Sequence, residues 1–485
     1  MNWRAISGNV GYALLVSALF MFLSVLVSFA NGNDSACAAL IISFTITFIV
    51  GVFPFIFVRK TSAITLKEGY LIITLSWLLS FVFGMLPYAL WGGPFSLSNA
   101  WFESVSGFTT TGATILENVE ALPNSLLFWR ASTHFIGGLG VVVFLLLIIP
   151  GSSPIRMRLT NMELSSLSKG AYSGRTNKAV YIFAYVYLGL GAAAFISYLL
   201  AGMSPLDAVC HAMSVCATGG FSSRNLSIAA FDSTLIEGIT IVFMYLSSIH
   251  FGIIYLCVVN RSVRPLKNPI LSFYTLSLLV FALLTGFSLR ISGVEQSLGR
   301  ALWEGAFQTV SIASTTGFAI ADNASWPLCS NLLLMFMAVM CGCAGSTSGG
   351  VKADRVLVLL KSAGRQIGRI LHPSSVNEVR LGKRVIREEE VNPQILYIAI
   401  YCVILAVSVL LALIFKVNDH SAFAASVSSL GNVGPAIREL GFMGNFNSLP
   451  SAAKFLFSVD MFLGRIEIYP MLAVIAMIFD GHRRR

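Results

Sequence analysis

Long apolar stretches separated by short polar or basic turns run through almost the whole chain of 485 residues. Several of them reach the ~20 residues that an α-helix needs to cross the hydrocarbon core of a bilayer. The first two stretches, 12–30 and 37–58, are joined by a polar turn at 31–34, and a basic turn at 59–67 follows them. We therefore predict a leading pair of transmembrane helices.

One pattern then recurs four times, and such a recurrence indicates a single structural unit used repeatedly. Each unit has a spanning helix, a half-length helix, a glycine-rich loop and a second spanning helix. The predicted units are 70–91, 97–108, 109–114 and 127–149; 179–201, 205–215, 216–221 and 234–260; 269–290, 297–313, 314–319 and 329–361; and 393–416, 420–430, 431–436 and 452–480. The half-length helices are too short to span, so each should enter and leave on one side. Two leading helices plus two per unit give ten predicted crossings.

The predicted fold is an all-α polytopic membrane protein in which four helix–pore-loop–helix repeats surround a pseudo-fourfold central pore. Its predicted parts are the leading pair 1–68 and the repeats 69–178, 179–268, 269–392 and 393–485, the third with an interrupted second helix and a cytoplasmic loop. Residues that commonly cap helices stand near the start of each half-length helix. They are Ser98 or Asn99, Ser204, Ser297, and Asp419 or Ser421.

Composition and charge support this class. Hydrophobic residues make up 56% of the chain and charged residues only 11%, against roughly 25% charged residues in soluble domains. Most Lys and Arg residues fall in six segments: Arg4, 59–67, 156–178, 261–267, 352–387 and 483–485. This alternation fits the positive-inside rule and predicts that both termini are cytoplasmic and the four glycine-rich loops external. The net charge of +10 is thus assigned to the membrane surface, and we expect no nucleic-acid partner.

The four loops carry the candidate chemistry. Each has a small residue, a Thr or Val, and then a glycine, whose backbone freedom lets successive carbonyl groups point at one axis. A ring of carbonyl oxygens can replace the water shell of a monovalent cation, and the C-terminal ends of four half-length helices would add partial negative charge. Aligned on Gly112, Gly219, Gly317 and Gly434, the candidate ligands are Thr110, Thr111, Gly112, Ala113, Ala217, Thr218, Gly219, Gly220, Thr315, Thr316, Gly317, Phe318, Asn432, Val433, Gly434 and Pro435. The alternative is four unrelated tight turns.

At these loops the chain resembles the Trk/Ktr/HKT superfamily of potassium transporters, and within it the bacterial Trk-type uptake proteins. The resemblance covers essentially the whole chain. It rests on SGFTTTGAT at 106–114, IGGLG at 136–140, AGSTSGG at 344–350, GNVGP at 431–435 and MFLGRIE at 461–467. The two leading helices resemble the Trk branch more than the Ktr branch.

The resemblance implies potassium uptake across the bacterial inner membrane through one pore per subunit. It also implies a homodimer and a cytoplasmic regulatory ring that binds nucleotide, with potassium as the transported ion and no organic cofactor. Glycine at all four aligned positions suits potassium in this family. The second loop departs from the pattern, because Cys216 and Ala217 place no hydroxyl beside Thr218, which leaves the innermost binding position open on that side.

The run from Cys341 to Gly350 interrupts the helix that begins near 329, because each glycine costs about 1 kcal/mol in a helix interior. One interpretation is a kink for packing; the other, which the resemblance implies, is a mobile loop that obstructs the pore beneath the filter. The candidate gate residues are Gly345, Ser346, Thr347, Ser348, Gly349, Gly350 and Arg465. Arg465 lies inside the last apolar run. The resemblance implies that it forms an electrostatic barrier across the permeation path below the filter; the alternative is a salt bridge with Asp460 or Glu467.

Other polar residues receive structural interpretations. Glu103, Glu304 and Gln308 lie on half-length helices and either brace the loops or add negative potential, and Arg130 is expected to pair or to extend towards the interface. We expect His134, His211 and His250 to be core residues and the eight cysteines to be small buried groups. The basic segment 352–392 is either a solvated surface or the docking site of the regulatory ring.

We find no nucleophile–base pair and no metal-ligand cluster at one depth, so we predict a transport protein rather than an enzyme. Two mechanisms stay open, a gated potassium-selective channel and a potassium:proton or potassium:sodium symporter.

Overall fold

The computed structural model describes residues 2–58, 65–148, 176–372, 378–382, 384–466 and 468–483. Within these ranges the chain is helical apart from loops and one short antiparallel hairpin. The helices are α1 (Trp3–Ala30), α2 (Cys37–Phe57), α3 (Leu66–Gly84), α4 (Leu86–Trp91), α5 (Leu97–Phe108), α6 (Asn124–Ile148), α7 (Thr176–Leu200), α8 (Pro205–Ala217), α9 (Thr234–Ser248), α10 (Phe251–Val259), α11 (Pro269–Ile291), α12 (Leu298–Ala313), α13 (Leu328–Met340), α14 (Ala353–Leu371), α15 (Glu388–Ile414), α16 (Asp419–Gly431), α17 (Ser451–Ile466) and α18 (Ile468–Arg483). The hairpin pairs β1 (Val379–Leu381) with β2 (Arg384–Ile386), Arg380 lying opposite Val385.

Six described helical segments are long and apolar enough to cross a bilayer, and the bent pair α9–α10 would make a seventh. They are α1, α2, the segment from α3 to α4, α7, α11 and α15. Their outer faces expose large apolar side chains such as Ile56, Leu200 and Ile291, which a lipid environment accommodates and water does not. The predicted polytopic all-α class is confirmed, and the figure of ten crossings stays a prediction.

The leading helices α1 and α2 pack against each other, and α1 also packs on α3 and α6 of the first repeat. A large apolar core then joins the first and fourth repeats, with Phe102 and Trp129 from the first packed into the same cluster as Phe457 and Met461 from the fourth. Because the first and last repeats share a core, the four repeats close into a ring. All eight cysteines lie in the described residues and are free thiols. The expectation that they are buried is confirmed for Cys210, Cys216, Cys341 and Cys343 but was wrong for Cys329 and Cys402, which are exposed.

The half-length helices are α5, α8, α12 and α16, each within two residues of its predicted bounds. Ser204 and Ser297 accept hydrogen bonds from the third residue of their helices, as predicted. The candidates for the other two caps were wrong. Ser96 caps α5 by accepting from the Asn99 amide, and Asn418 occupies the cap position of α16, where its side chain makes no capping hydrogen bond with the described first turn.

Two of the predicted second helices are broken. The continuous helix predicted over 234–260 is wrong, because α9 and α10 meet at 102° around Ile249. In the third repeat α13 ends at Met340 and α14 begins at Ala353, so the glycine-rich run does interrupt that helix. We refer to residues 341–352 as the intramembrane segment.

Candidate functional site

The four half-length helices end in one backbone conformation. A residue in the left-handed region follows each helix, with φ of 53° at Thr110, 54° at Thr218, 58° at Thr315 and 54° at Asn432. Two positions later comes a glycine that also has positive φ, 81° at Gly112, 85° at Gly220, 77° at Gly317 and 94° at Gly434. This repeated pair of conformations is a structural signature that four unrelated turns would not share.

The signature corrects the predicted alignment of the second loop. Its positive-φ glycine is Gly220 rather than Gly219, and the Gly219 amide bonds to the Ser214 carbonyl as the Thr111 amide bonds to that of Ser106. Gly219 therefore occupies the place of Thr111 rather than of Gly112. The shift also aligns Thr218 with Thr110, so the hydroxyl that seemed to be missing from the second loop is present.

The glycines with positive φ form a closed ring. A Cβ atom added to any one of them would overlap the backbone of the next loop in chain order. The carbonyl oxygens met in this way belong to Gly219 for Gly112, to Thr316 for Gly220, to Val433 for Gly317 and to Thr111 for Gly434. Glycine is required here for both its backbone angle and this close approach. A cavity of about 160 Å³ lies over the ring and is lined by all four glycines.

A buried ion pair braces the first two loops. The Nε atom of Arg130 on α6 lies 2.7 Å from Oε1 of Glu103 on α5, and both side chains are almost fully buried. Arg130 also donates to the Ser222 carbonyl at 2.9 Å and lies over the Phe221 ring, 3.5 Å from its centroid. Glu103 in turn accepts from the Ile115 amide just beyond the first loop. Arg130 thus pairs, as one interpretation proposed, and links loop one to loop two.

The same helix position also braces the second and third loops. His211 and Gln308 stand seven residues before Thr218 and Thr315, as Glu103 stands before Thr110. His211 Nε2 lies 2.8 Å from Ser222 Oγ, and the side-chain amide nitrogen Nε2 of Gln308 donates to the Ala321 carbonyl at 2.8 Å. Glu304 instead pairs with Arg300 on its own helix at 2.8 Å.

The fourth repeat has an alanine at the equivalent position, Ala425. The segment that follows its loop is instead held by the third repeat, because Asn323 Nδ2 donates to the Ala436 carbonyl at 3.2 Å. Sequence reasoning missed Asn323. Its side chain is buried, but it lies in a polar loop with no periodicity that would have marked it.

The remaining candidate histidines occupy separate positions in the core. His134 on α6 stacks on Phe221 at 4.1 Å, and its Nδ1 lies 3.1 Å from Ser214 Oγ. His250 caps α10, where its Nδ1 accepts from the Gly252 amide at 2.9 Å. Their arrangement is that of hydrogen-bonded core residues, as the sequence indicated.

The intramembrane segment lies directly against the half-helix ends of the second and third repeats. The Thr347 hydroxyl oxygen lies 3.1 Å from the Cys216 carbonyl and 3.3 Å from the Thr218 hydroxyl. The Gly349 amide donates to the Thr315 hydroxyl at 3.1 Å. Gly345 and Gly350 have φ of 79° and 69°, and the Ser346 and Ser348 hydroxyls lie 2.7 Å apart within the segment.

The bend between α9 and α10 receives this segment. The Cys343 amide donates to the Ser248 carbonyl at 2.9 Å, and the Phe251 amide donates to the Gly345 carbonyl at 3.0 Å. The Ser247 carbonyl lies 3.2 Å from the Thr347 hydroxyl. A helix break at membrane depth frees backbone groups that need partners, and here the broken helix of repeat two and the interrupted helix of repeat three supply partners for each other.

Arg465 on α17 joins the intramembrane segment to the first repeat. Its Nη1 donates to the Thr347 carbonyl at 2.5 Å, and its Nη2 donates to the Gly137 carbonyl on α6 at 3.1 Å. The adjoining Gly464 packs so closely on the Leu430 carbonyl that a Cβ would overlap it. Of the two acids considered as partners, Asp460 accepts from Ser408, and Glu467 lies outside the described residues.

Comparison with known proteins agrees with this geometry. The model of the TrkH family, described as a cation transport protein, matches residues 37–294 and 271–482. The chain is 31% identical to the Trk system potassium uptake protein TrkH of Salmonella typhimurium over 483 residues, covering 99% of both chains. It is 29% identical to the Trk system potassium uptake protein TrkG of Escherichia coli, covering 98% of both.

The fold is also that of a solved relative. The crystal structure of the potassium transporter TrkH from Vibrio parahaemolyticus superposes with a TM-score of 0.86 at 30% identity, covering 97% of this chain and 98% of the other. Similarity of this extent leaves no repeat unmatched. The chain therefore belongs to the TrkH family of cation transport proteins.

Proposed function

We propose that this protein carries out potassium uptake across the bacterial inner membrane by passing a dehydrated ion through the ring of four loops. The observation that carries the proposal is the closed cycle in which each positive-φ glycine abuts a carbonyl oxygen of the next loop. Relatives of the same length are named potassium uptake proteins.

The electrostatics of the ring suit a cation. Four half-length helices, α5, α8, α12 and α16, direct their C-terminal ends towards it, and each end carries about half a negative charge. Carbonyl oxygens of the proposed filter replace the water that the ion loses. The Glu103–Arg130 pair is internally neutral, so it fixes the loops without adding a net positive charge beside the path.

We propose that the intramembrane segment is the gate. Thr347 and Gly349 bond to the inner ends of two loops, where the segment blocks the path. Arg465 bonds to the Thr347 carbonyl and to α6, so it holds the segment closed and places a positive charge below the filter.

The proposed assembly is a homodimer with a cytoplasmic nucleotide-binding regulatory ring and with both termini in the cytoplasm. The regulatory ring would dock on α14 and the β1–β2 hairpin, which form the proposed cytoplasmic part of the third repeat. Leu360, Ile367 and Ile370 are exposed on α14, and Arg369 lies beside them in sequence, which supports a protein-binding surface rather than a purely solvated one. Movement of α14 would reach the gate through Asp354, whose carboxylate accepts from the Ala344 amide at 3.1 Å.

The test is uptake of a potassium isotope by the purified protein in vesicles, with sodium as competitor. Gly112→Ser should abolish selective uptake, because its side chain would overlap the Gly219 carbonyl. Gly202→Ser is the matched control, because Gly202 also has positive φ, 96°, while a Cβ there would have no atom within 4 Å among the described residues. Equal selectivity in the two variants would contradict the proposed filter.

One observation favours a second candidate function, potassium:proton or potassium:sodium symport. Asp460 is a buried carboxyl group inside α17, bonded to Ser408, which lies 2.9 Å from Ser426 on α16. An ionisable group at such a depth is often functional. Reversal potentials measured at two pH values and two sodium concentrations separate the candidates, since only a symporter's potential follows the coupled ion. Asp460→Asn should remove a proton dependence that this carboxyl carries.

A further inference from the structure

We infer that the turn between α10 and α11 binds the headgroups of anionic phospholipids at the cytoplasmic membrane surface, and that this binding holds the intramembrane segment closed. The turn comprises residues 260–268, and we call it the basic turn. The lipid site does not depend on potassium conduction, whereas its effect on flux rests on the proposed gate.

The bend near Ile249 carries the chain sideways before the basic turn. α9 has 15 residues and a length of about 22 Å, which is less than the ~30 Å of the hydrocarbon core. α10 leaves α9 at an angle of 102°, and α11, with 23 residues, is long enough to span the membrane by itself. In the proposed orientation, α10 therefore runs along the membrane plane. The basic turn leads directly into α11 and so lies at the level of the cytoplasmic headgroups.

Side chains become more exposed along α10 towards the basic turn. Phe251 at its start is buried, whereas Val258 and Val259 at its end are exposed. Within the turn itself, Val263 and Leu266 are also exposed. Aliphatic side chains next to cations suit the boundary between acyl chains and headgroups. A free phosphate ion would gain nothing from them, so these residues favour a lipid as the ligand.

Three exposed cations, Arg261, Arg264 and Lys267, stand in the basic turn. The sequence has no Asp or Glu between Glu237 and Glu295. Within the described ranges, none of the three cations forms an ion pair. Basic residues close to the membrane surface attract anionic lipids, and here no carboxylate of the protein competes for them.

Other described cations on the proposed cytoplasmic side already have partners. Arg365 on α14 lies 3.1 Å from Glu388, and Arg384 on β2 lies 3.1 Å from Glu390. Their charge is compensated inside the protein, whereas the charge of the basic turn calls for an external anion. A general excess of cytoplasmic Lys and Arg does not account for this difference.

Backbone hydrogen bonds hold the basic turn in one shape. The Ser262 amide donates to the Cys257 carbonyl at 3.2 Å, and the Lys267 amide donates to the Arg264 carbonyl at 3.1 Å. The three cations are thus presented by an ordered turn, so that little conformational entropy is lost when a headgroup binds.

The other end of α10 contacts the intramembrane segment. The Phe251 amide donates to the Gly345 carbonyl at 3.0 Å, and just before the bend the Ser248 carbonyl accepts from the Cys343 amide at 2.9 Å. α10 is an unbroken helix of nine residues, about 13 Å long, so its two ends move together. A lipid that fixes the basic turn in the observed position therefore also favours the contacts of the closed segment.

The binding test uses the full-length protein in uncharged detergent micelles, titrated with dioctanoyl phosphatidylglycerol in a calorimeter. Dioctanoyl phosphatidylcholine and inorganic phosphate are titrated separately, to test the headgroup charge and a free anion. Phosphatidylglycerol should bind and the other two should not.

Variants locate the lipid site. Each Lys or Arg near an anionic surface contributes about a factor of five, so the double variant Arg261→Gln/Arg264→Gln should raise the Kd for phosphatidylglycerol about 25-fold. The matched control Arg365→Gln/Arg384→Gln removes the same charge from paired positions and should leave the Kd unchanged. Val263→Ser/Leu266→Ser keeps every charge and should still weaken binding, because it removes the aliphatic contacts. Melting temperatures check that each variant folds.

The coupling to the segment is measured as basal potassium flux through the purified protein in phosphatidylcholine vesicles that contain increasing fractions of phosphatidylglycerol. Flux through the wild type should fall as the anionic fraction rises. Flux through Arg261→Gln/Arg264→Gln should fall less. The surface potential of the vesicles acts on both proteins alike, so the difference between them reports the site.

Equal affinity for the two phospholipids, equally tight binding of inorganic phosphate, or an unchanged Kd in folded Arg261→Gln/Arg264→Gln would overturn the lipid site. Specific binding together with the same lipid dependence of flux in the wild type and this variant would overturn the coupling to the segment. Absence of selective potassium uptake would reject the proposed function, and the binding titration would still decide the lipid site.

Discussion

Replacement of Arg465 by alanine is the most direct test of the gate. The side chain is 6% exposed and holds the intramembrane segment through the Thr347 carbonyl at 2.5 Å. Its contact with the Gly137 carbonyl, at 3.1 Å, joins Arg465 to α6 rather than to the segment. The bond to the Thr347 carbonyl is therefore one that the closed segment has and a displaced segment lacks.

The expected magnitude follows from that contact. A hydrogen bond to a charged group contributes about 1.5–3 kcal/mol, which shifts the open–closed equilibrium about 10- to 100-fold. Basal potassium flux should rise by that factor while the closed state still dominates. Removal of the positive charge from the path acts in the same direction, so the estimate is a lower bound for Arg465→Ala.

The assay is isotope flux through the purified protein in vesicles without any partner. Arg465→Lys separates the two effects, because lysine keeps the charge but cannot bridge two carbonyl groups as the guanidinium does. Lys454→Met is the matched control, because Lys454 is a buried cation on the same helix, bonded to Asn99 and to the Asn447 carbonyl. This variant should have a lower melting temperature but no increase in basal potassium flux. Unchanged basal flux in Arg465→Ala, with a normal melting temperature, would refute the gate.

Three further predictions concern the loops and the segment. Gly220→Ser should abolish potassium-over-sodium selectivity in the vesicle assay. Gly219→Ser should lower the melting temperature but keep selectivity, because a Cβ at Gly219 meets the His134 ring rather than another loop. Loss of selectivity in Gly219→Ser but not in Gly220→Ser would restore the alignment on Gly219. Glu103→Gln leaves Arg130 as an uncompensated buried charge and should lower the free energy of unfolding, measured by heat or denaturant, by about 3–5 kcal/mol. Arg300→Gln, which breaks a more exposed ion pair, is the control, and an equal loss of stability in that variant would contradict the prediction. Asp354→Leu removes the acceptor of the Ala344 amide and should raise basal potassium flux in vesicles. A flux equal to that of the wild type would contradict this prediction.

The apolar and polar pattern was sufficient for the class and the order of elements. Bilayer thickness fixes the length of a spanning helix, so half-length helices and their loops can be recognised without tertiary information. The four half-length helices were placed within two residues. Caps were less certain, because several Ser, Asn and Asp residues compete at each start and packing selects among them; Ser96 rather than Ser98 or Asn99 caps α5.

What the sequence determined by itself is local: which stretches are long and apolar enough to cross a membrane, where a helix must stop, and where glycine allows a backbone that other residues avoid. The tertiary structure decided which of two adjacent glycines, Gly219 or Gly220, closes the ring, because that choice depends on the carbonyl of a neighbouring repeat. It also decided the bend near Ile249, since the freed backbone groups are satisfied by a segment 100 residues away. Contacts of this kind join residues that share no local pattern, so only the folded chain brings them together.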